Sequence, residues 1–457
     1  MSRQVPILRP IAALPRRRSK APDTDVFATS NYHLLADGPI MYSAPDTAWL
    51  QLARTRVLVA VYSPNKKLNA ATVATELLPI LNAQKAYLGG KLPVKEYAFL
   101  VTLSDNRQMT RYGALEHSYS SFYYLPESMP AKELATSIRD VASHEFFHII
   151  TPLNIHSEEI GSFDYIRPKM SAHLWLYEGL TEYAAHHAQI CAGLISEKTY
   201  LDRMVQKATV AKKQFNDTLP FTELSLGALD KYKEQYGNVY QKGALIGMCL
   251  DIQLRHLSNG RYGTQQLMKD LSKKYGKHRS FRDDDLFSDI GKLTYPEIEN
   301  FLRTYVAGAR ALPLDSIVRL AGLRYRPTDT VQQAEVAFTV GFSRVGSSDT
   351  LQISTMANAT KLAKRIGLQK ADQLLQFNGA AFSTKTFGSL FQEYAASAKA
   401  GDKVSWTVRR KNKDTGEWQV QTLETTIVEE ATVAPTLKPL PNATAVQQAV
   451  YRQWLQR

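Results

Sequence analysis

The sequence predicts an α+β chain of several domains, a mostly helical domain with a small mixed sheet followed by a β-rich one. Three observations lead there. The chain has 457 residues, enough for about three domains at roughly 150 residues each. Between Thr47 and Leu312 a few strand-like runs give way to long helical periodicity. From about Arg324 the texture changes to short strands around a single helix-like stretch. The expected segments are therefore 1–45, a remnant of an N-terminal region or linker; 46–320, the helical domain; 321–432, the β-rich domain; and 433–457, a linker and terminal helix.

Residues 1 to about 30 are basic, proline-containing and read as irregular. Arg56–Tyr62 is apolar without a break from Val57 on, hence a buried strand. Thr72 to Leu88 has amphipathic helical spacing, and Gly89-Gly90 stops it. Glu96–Leu103, rich in aromatic and β-branched residues, is the next strand. Residues 132–150 and 173–194 are long helices, and another runs from Val239 to Leu257 after Gly237-Asn238. In the last third, strands are expected at Glu335–Val340, Thr350–Ser354 and Lys403–Arg409, with a helix at Phe387–Ala398. Ala434–Pro441 holds three prolines and reads as an extended linker, with a terminal helix from Ala443 to Gln456.

Composition excludes several classes. With 44% hydrophobic and 22% charged residues, the chain buries a core and is not disordered. No apolar run reaches the roughly 18 residues of a membrane span. Two cysteines, Cys191 and Cys249, cannot make a disulfide framework or a four-thiolate zinc site and read as buried thiols. The net charge of +13 is spread along the chain, with its densest run at Arg16-Arg17-Arg18. No aromatic–basic strip accompanies it, so it reads as a solvated surface and no nucleic-acid partner is expected. The N-terminus lacks the apolar segment of a secretory signal.

Residues 144–148 read His-Glu-Phe-Phe-His within a helical run. Histidines four apart share one helix face and can grip one cation, and neutral imidazoles suit Zn2+. Glu145, rotated about 100° from His144, falls beside the cation's water instead of in its ligand set. A catalytic zinc usually takes three protein ligands and keeps a fourth position open. Glu178, in the run Leu174–Tyr183, can be the third, and Glu182 can hydrogen-bond the outer nitrogen of a ligand histidine. Trp175, Leu176, Leu180 and Tyr183 surround these carboxylates with apolar bulk, which carboxylates tolerate only beside a cation.

His144–His148 with Glu178-Gly179-x-Thr181-x-Tyr183 resembles the gluzincin metallopeptidases, and among them the glycyl aminopeptidase family, which joins a thermolysin-like catalytic domain to a C-terminal PDZ domain. Gly113-Ala114-Leu115-Glu116-His117 is similar to that family's substrate-strand motif, Val239-Tyr240-Gln241-Lys242-Gly243 to the motif of its catalytic tyrosine, and Asp37-Gly38-Pro39 to the segment entering its catalytic domain. Gly367–Gly379 looks like a PDZ signature in which Ala371 replaces a glycine and Asn378-Gly379 forms a tight turn. The resemblance covers about residues 30–430.

It implies one Zn2+ per chain on His144, His148 and Glu178, with Glu145 as general base and Tyr240 donating to the oxyanion; Tyr236, one turn earlier, is the alternative donor. Glu116 is expected to pair with a substrate's free α-ammonium, and the backbone of Gly113, Ala114 and Leu115 to pair with an extended peptide. A second extended peptide is expected at the PDZ-like domain, near Gly341 and Phe342. The reading is a zinc aminopeptidase acting on peptides or proteins. A zinc endopeptidase of the same chemistry and a catalytically idle peptide-binding scaffold are the alternatives. Two departures stand out: the family's N-terminal β-domain of about 150 residues is largely missing, and Ile149–His156 differs from the family's usual loop, so substrate preference does not carry over. The resemblance implies the bacterial periplasm, envelope or exterior, with no signal segment visible.

Overall fold

The computed structural model describes residues 9–21, 24–106 and 108–455. They form a mixed α/β chain of two compact units, Met1–Arg326 with Thr436–Arg457, and Pro327–Pro435.

The sheet of the first unit has five strands: β1 (Asp46–Leu52), β2 (Thr55–Tyr62), β3 (Glu96–Ser104), β4 (Gly113–His117) and β5 (Ser120–Pro126), in the order β1-β2-β3-β5-β4. β2 and β3 pair in parallel, as do β3 and β5, while β1 and β4 pair antiparallel at the edges. The parallel centre explains the unbroken apolar run in β2, because Val57 to Val61 are buried on both faces. Helix α1 (Ala70–Tyr87) covers one face. The Asn69 side chain caps it by accepting from the Thr72 N–H at 2.8 Å, and Gly89 and Gly90, both at φ +83°, end it.

Helix α2 (Ala131–Glu145) packs beside α1, burying Leu134, Ile138, Ala142 and then Phe146 at a spacing of four. The helix expected over 132–150 is not uniform. It tightens after Glu145 into a 3₁₀ turn, Phe146–Ile149, that carries His148. The helix expected over 173–194 likewise opens with a π-helical turn, Trp175–Gly179, before α3 (Leu180–Cys191). Such turns shift side chains relative to a regular helix and concentrate at functional sites. Then come α4 (Glu197–Gln214) and α5 (Asn238–Leu257), the latter buried along most of its length. Further helices follow at Thr264–Lys274, Leu286–Leu293, Pro296–Tyr305 and Leu314–Leu320.

Two glycines decide how closely α5 meets the π-helical turn. A Cβ on Gly179 would lie 2.6 Å from Gly243 Cα, and one on Gly243 equally close to Gly179 Cα. Only hydrogen side chains let the two backbones touch there.

In the second unit, β6 (Gly341–Arg344), β7 (Leu351–Thr355), β8 (Gln373–Phe377), β9 (Lys403–Lys411) and β10 (Trp418–Thr426) form an antiparallel sheet in that order, with helix α6 (Phe387–Ser397). Trp406, Phe377 and Phe382 centre its core. Ala371 stands at φ +73°, the backbone conformation that glycine prefers, and Asn378 and Gly379 at +47° and +79° make the tight turn.

Several expectations are corrected. Residues 335–340 are not a strand; a strand runs instead from Leu323 to Ala334. The segment read as a linker is mostly the strand Glu429–Pro439; Pro435 and Pro439 sit in a two-stranded sheet, where each strand is an edge and proline is tolerated. The terminal helix, α7 (Ala445–Leu455), belongs to the first unit and buries Val450, Trp454 and Leu455; Gln456 lies outside the described residues. In the N-terminal stretch Arg9–Ile11 pairs with Met41–Ser43, and Arg16–Arg17 with Val26–Phe27; residues 1–8, 22 and 23 lie outside the described residues. Cys249 is buried as expected, whereas Cys191, at the end of α3, is only half-buried.

Candidate metal centre

The end of α2, the 3₁₀ turn after it and the π-helical turn bring three side chains to one point. Ligand atoms of His144, His148 and Glu178, all buried, lie within 4.8 Å of one another. The Glu178 carboxylate oxygen Oε2 is 3.1 Å from His144 Nε2 and 3.9 Å from His148 Nε2. Ligand atoms about 2.0–2.2 Å from a tetrahedral ion stand roughly 3.3–3.6 Å apart, so the observed separations bracket that spacing. Two imidazole nitrogens and one carboxylate oxygen are also a donor set that suits zinc. Burial opposes a charged His144, but Glu178 and Glu182 on its two ring nitrogens outweigh it and hold its pKa well above the ordinary range. The pocket is built to draw positive charge.

The outer nitrogens of both histidines are tied. His144 Nδ1 bonds Glu182 Oε2 at 2.8 Å, and His148 Nδ1 donates to the Thr151 carbonyl at 2.8 Å. Each Nε2 is thereby aimed at the shared point. The loop after His148, expected to shape a substrate pocket, thus also orients a histidine through its Thr151 carbonyl. Burial alone would raise the Glu182 carboxyl, but bonds from His144 and His186 and the Lys207 charge drive it well below the usual carboxylate range.

Glu145 stands beside the ligand set. It is buried, and its Oε2 has no hydrogen-bond partner. Burial raises its carboxyl, with the Glu178 charge adding and the two histidines opposing. An unpartnered buried carboxylate oxygen is costly and marks a place for an exchangeable ligand. Tyr240, in the first turn of α5, stacks edge-on to His144 with ring centres 5.4 Å apart; Tyr236 is 5.9 Å from Tyr240. Burial, then the Glu178 charge, raises both phenols, so both are protonated donors. The structure brings both tyrosines to the centre.

Glu116 reaches the same point from β4, its carboxylate within 4.8 Å of ligand atoms of Glu145 and His148. Burial pushes its carboxyl up to about 7; His148 opposes this, and Glu178 and Glu145 add to it. Gly113, Ala114 and Leu115 lie on β4, an edge strand, with Gly113 and Leu115 exposed. Asp37 fastens the end of this strand by accepting from His117 Nδ1 at 2.9 Å and from the Ser118 N–H and hydroxyl at 2.6 and 2.7 Å. His117 thus faces Asp37, as a neighbour of the site.

Lys207 was not legible in the sequence. It sits in a lysine-rich helical stretch that reads as solvated surface, yet it is buried, with Nζ 2.6 Å from Glu182 Oε1. In the second unit, Gly341 and Phe342, expected near a bound peptide, begin the edge strand β6, with the Phe342 ring centre 6.4 Å from that of Phe391 in α6.

Residues 137–246, which hold His144, Glu145, His148, Glu178, Glu182 and Tyr240, match the family model of the M61 glycyl aminopeptidases. Over this stretch the chain matches a metallopeptidase family. The resemblance read from its motifs stands over the matched residues. The fold is similar to that of an aminopeptidase N family protein from Idiomarina loihiensis, at a TM-score of 0.65 and 20% identity over 98% of this chain and 77% of that one. An M1 zinc metallopeptidase from Deinococcus radiodurans is more distant, at a TM-score of 0.47 and 16% identity over 67% of this chain and 63% of its own. No curated protein sequence matches significantly. No helix among the described residues is long and apolar enough to cross a membrane.

Proposed function

We propose that the protein is a zinc aminopeptidase whose single ion is held by His144, His148 and Glu178. The convergence of these three groups around one point, with the unpartnered Glu145 oxygen beside it, carries the reading. Zinc in such a set acts as a Lewis acid and makes water acidic near neutral pH. Glu145 takes the proton of the attacking water as its oxygen bonds to the scissile carbonyl carbon. It returns a proton to the nitrogen as the C–N bond breaks, so that an amine leaves. The Tyr240 hydroxyl, with Tyr236 as the alternative, donates to the oxyanion in between.

Glu116 fixes where the chain is cut. Its carboxylate pairs with a free α-ammonium, and its short distance from Glu145 leaves room for one residue between anchor and scissile bond. The open edge of β4 takes the peptide as an added strand. The second unit is read as PDZ-like, on the left-handed Ala371 at the signature's glycine position and the Asn378-Gly379 turn. A peptide tail would dock between β6 and α6, past Gly341 and Phe342.

Zinc analysis of the purified protein is expected to give one ion per chain. Glu145→Gln should keep that ion and lose turnover on the order of 10²–10⁴-fold; retained peptidase activity contradicts the assigned base. One peptide offered with a free and with an acetylated amino terminus separates the peptidase types. Cleavage of only the free form is expected, and equal cleavage of both makes the protein an endopeptidase.

A further inference from the structure

The buried ammonium of Lys207 touches both halves of the centre. Nζ donates to Glu182 Oε1 at 2.6 Å and to the backbone carbonyl of Tyr240 at 3.3 Å. The other Glu182 oxygen holds His144 Nδ1, and Oε1 also meets His186 Nε2 at 3.1 Å, whose ring in turn meets Arg203. Glu182 is thus fixed at both oxygens, so that it cannot turn away from His144. The same ammonium holds the first turn of α5, where Tyr240 begins. Lys207 is 8% exposed, too buried for a surface ion pair. A buried lysine persists only where its charge is matched.

We propose that Lys207 is a positioning residue of the metal centre: by fixing Glu182 and the start of α5 together, it sets the orientation of the His144 ligand relative to Tyr240. This rests on the zinc peptidase reading for its consequence in turnover, but not for its consequence in metal binding. Groups that orient a ligand histidine typically contribute 10–100-fold in metal affinity. Lys207→Met keeps the stem and removes both bonds.

The test is zinc affinity of the stripped full-length chain, measured by competition with a chromophoric chelator, together with kcat and KM. Lys207→Met is expected to bind zinc about 10–100-fold more weakly and to lose kcat with KM little changed. Glu182→Gln should weaken zinc similarly, and adding Lys207→Met to it should cost little more, because the lysine acts through that carboxylate. Unchanged affinity in Lys207→Met, or a full additive loss in the double variant, overturns the proposal. Should the methionine variant not fold, Lys207→Gln takes its place with the same expected coupling. Wild-type protein that binds zinc and cleaves no peptide would remove the peptidase reading while leaving the affinity cycle to decide the role of Lys207.

Discussion

Replacing Gly243 by alanine tests the contact on which the centre's geometry depends. In an unobstructed helix interior this change stabilises by about 1 kcal/mol, because alanine is the better helix former. Here the new Cβ would lie 2.6 Å from Gly179 Cα, 3.3 Å from Gly179 N and 3.4 Å from Phe221 Cζ. Non-bonded carbons rest at about 3.5–4.0 Å, so α5 and the π-helical turn must part by roughly 1 Å. Overpacking of this kind costs about 1–3 kcal/mol, which at least cancels the helix gain and leaves a net loss of about 0–2 kcal/mol. The chemistry should suffer more. Glu178 is the neighbour of Gly179 and Tyr240 lies one turn before Gly243, so both sides of the centre shift. A 1 Å displacement costs on the order of 10²-fold in rate. Thermal unfolding, zinc competition and kcat/KM on an unblocked peptide measure the three consequences. A Gly243→Ala protein that is more stable than wild type and turns over normally would refute the reasoning, since the backbones could not then be in contact.

Trp454 is fully buried, its Nε1 donating to the Tyr183 hydroxyl at 2.9 Å and its carbonyl accepting from His187 Nε2 at 2.6 Å. Trp454→Ala should destabilise the first unit by about 3–5 kcal/mol; a fall of under about 1 kcal/mol in chemical denaturation would mean that α7 is not docked. Burial pushes His187 down to about 4, against the pull of Asp251. The unfolded chain therefore binds a proton below about 6.5 that the folded chain refuses until about 4. The His187 contribution to stability should fall as pH drops through that window, by up to about 3 kcal/mol, and level off below it. Unfolding free energies at several pH values should show a slope smaller by about one proton in His187→Gln, and equal slopes would remove this account.

Much of the fold could be read because its determinants are local. The apolar run in β2, the period-four stripe of α2 and the glycines after α1 each state their own structure. The Asn378-Gly379 turn is equally local, and the left-handed position of Ala371 was marked only by the motif around it. The misreadings have one cause. The proline-rich segment at 434–441 looks like a linker because proline disfavours strands in general, whereas the two-stranded pair it joins is set by a partner about a hundred residues earlier. Lys207 looks like surface because nothing near it in the chain reveals Glu182.

The sequence by itself determined the donors. Spacing of four puts His144 and His148 on one face, and a carboxylate in apolar company marks Glu178. Only the tertiary structure decided that these meet, that Glu145 is left without a partner, that Lys207 turns inward across 25 residues to Glu182, and that Trp454 closes on Tyr183 from 271 residues away. The reason is physical: periodicity fixes which side chains share a face of one element, while contacts between elements depend on how closely backbones pack. In this molecule that closeness comes down to two glycines, Gly179 and Gly243, with no side chain to hold them apart.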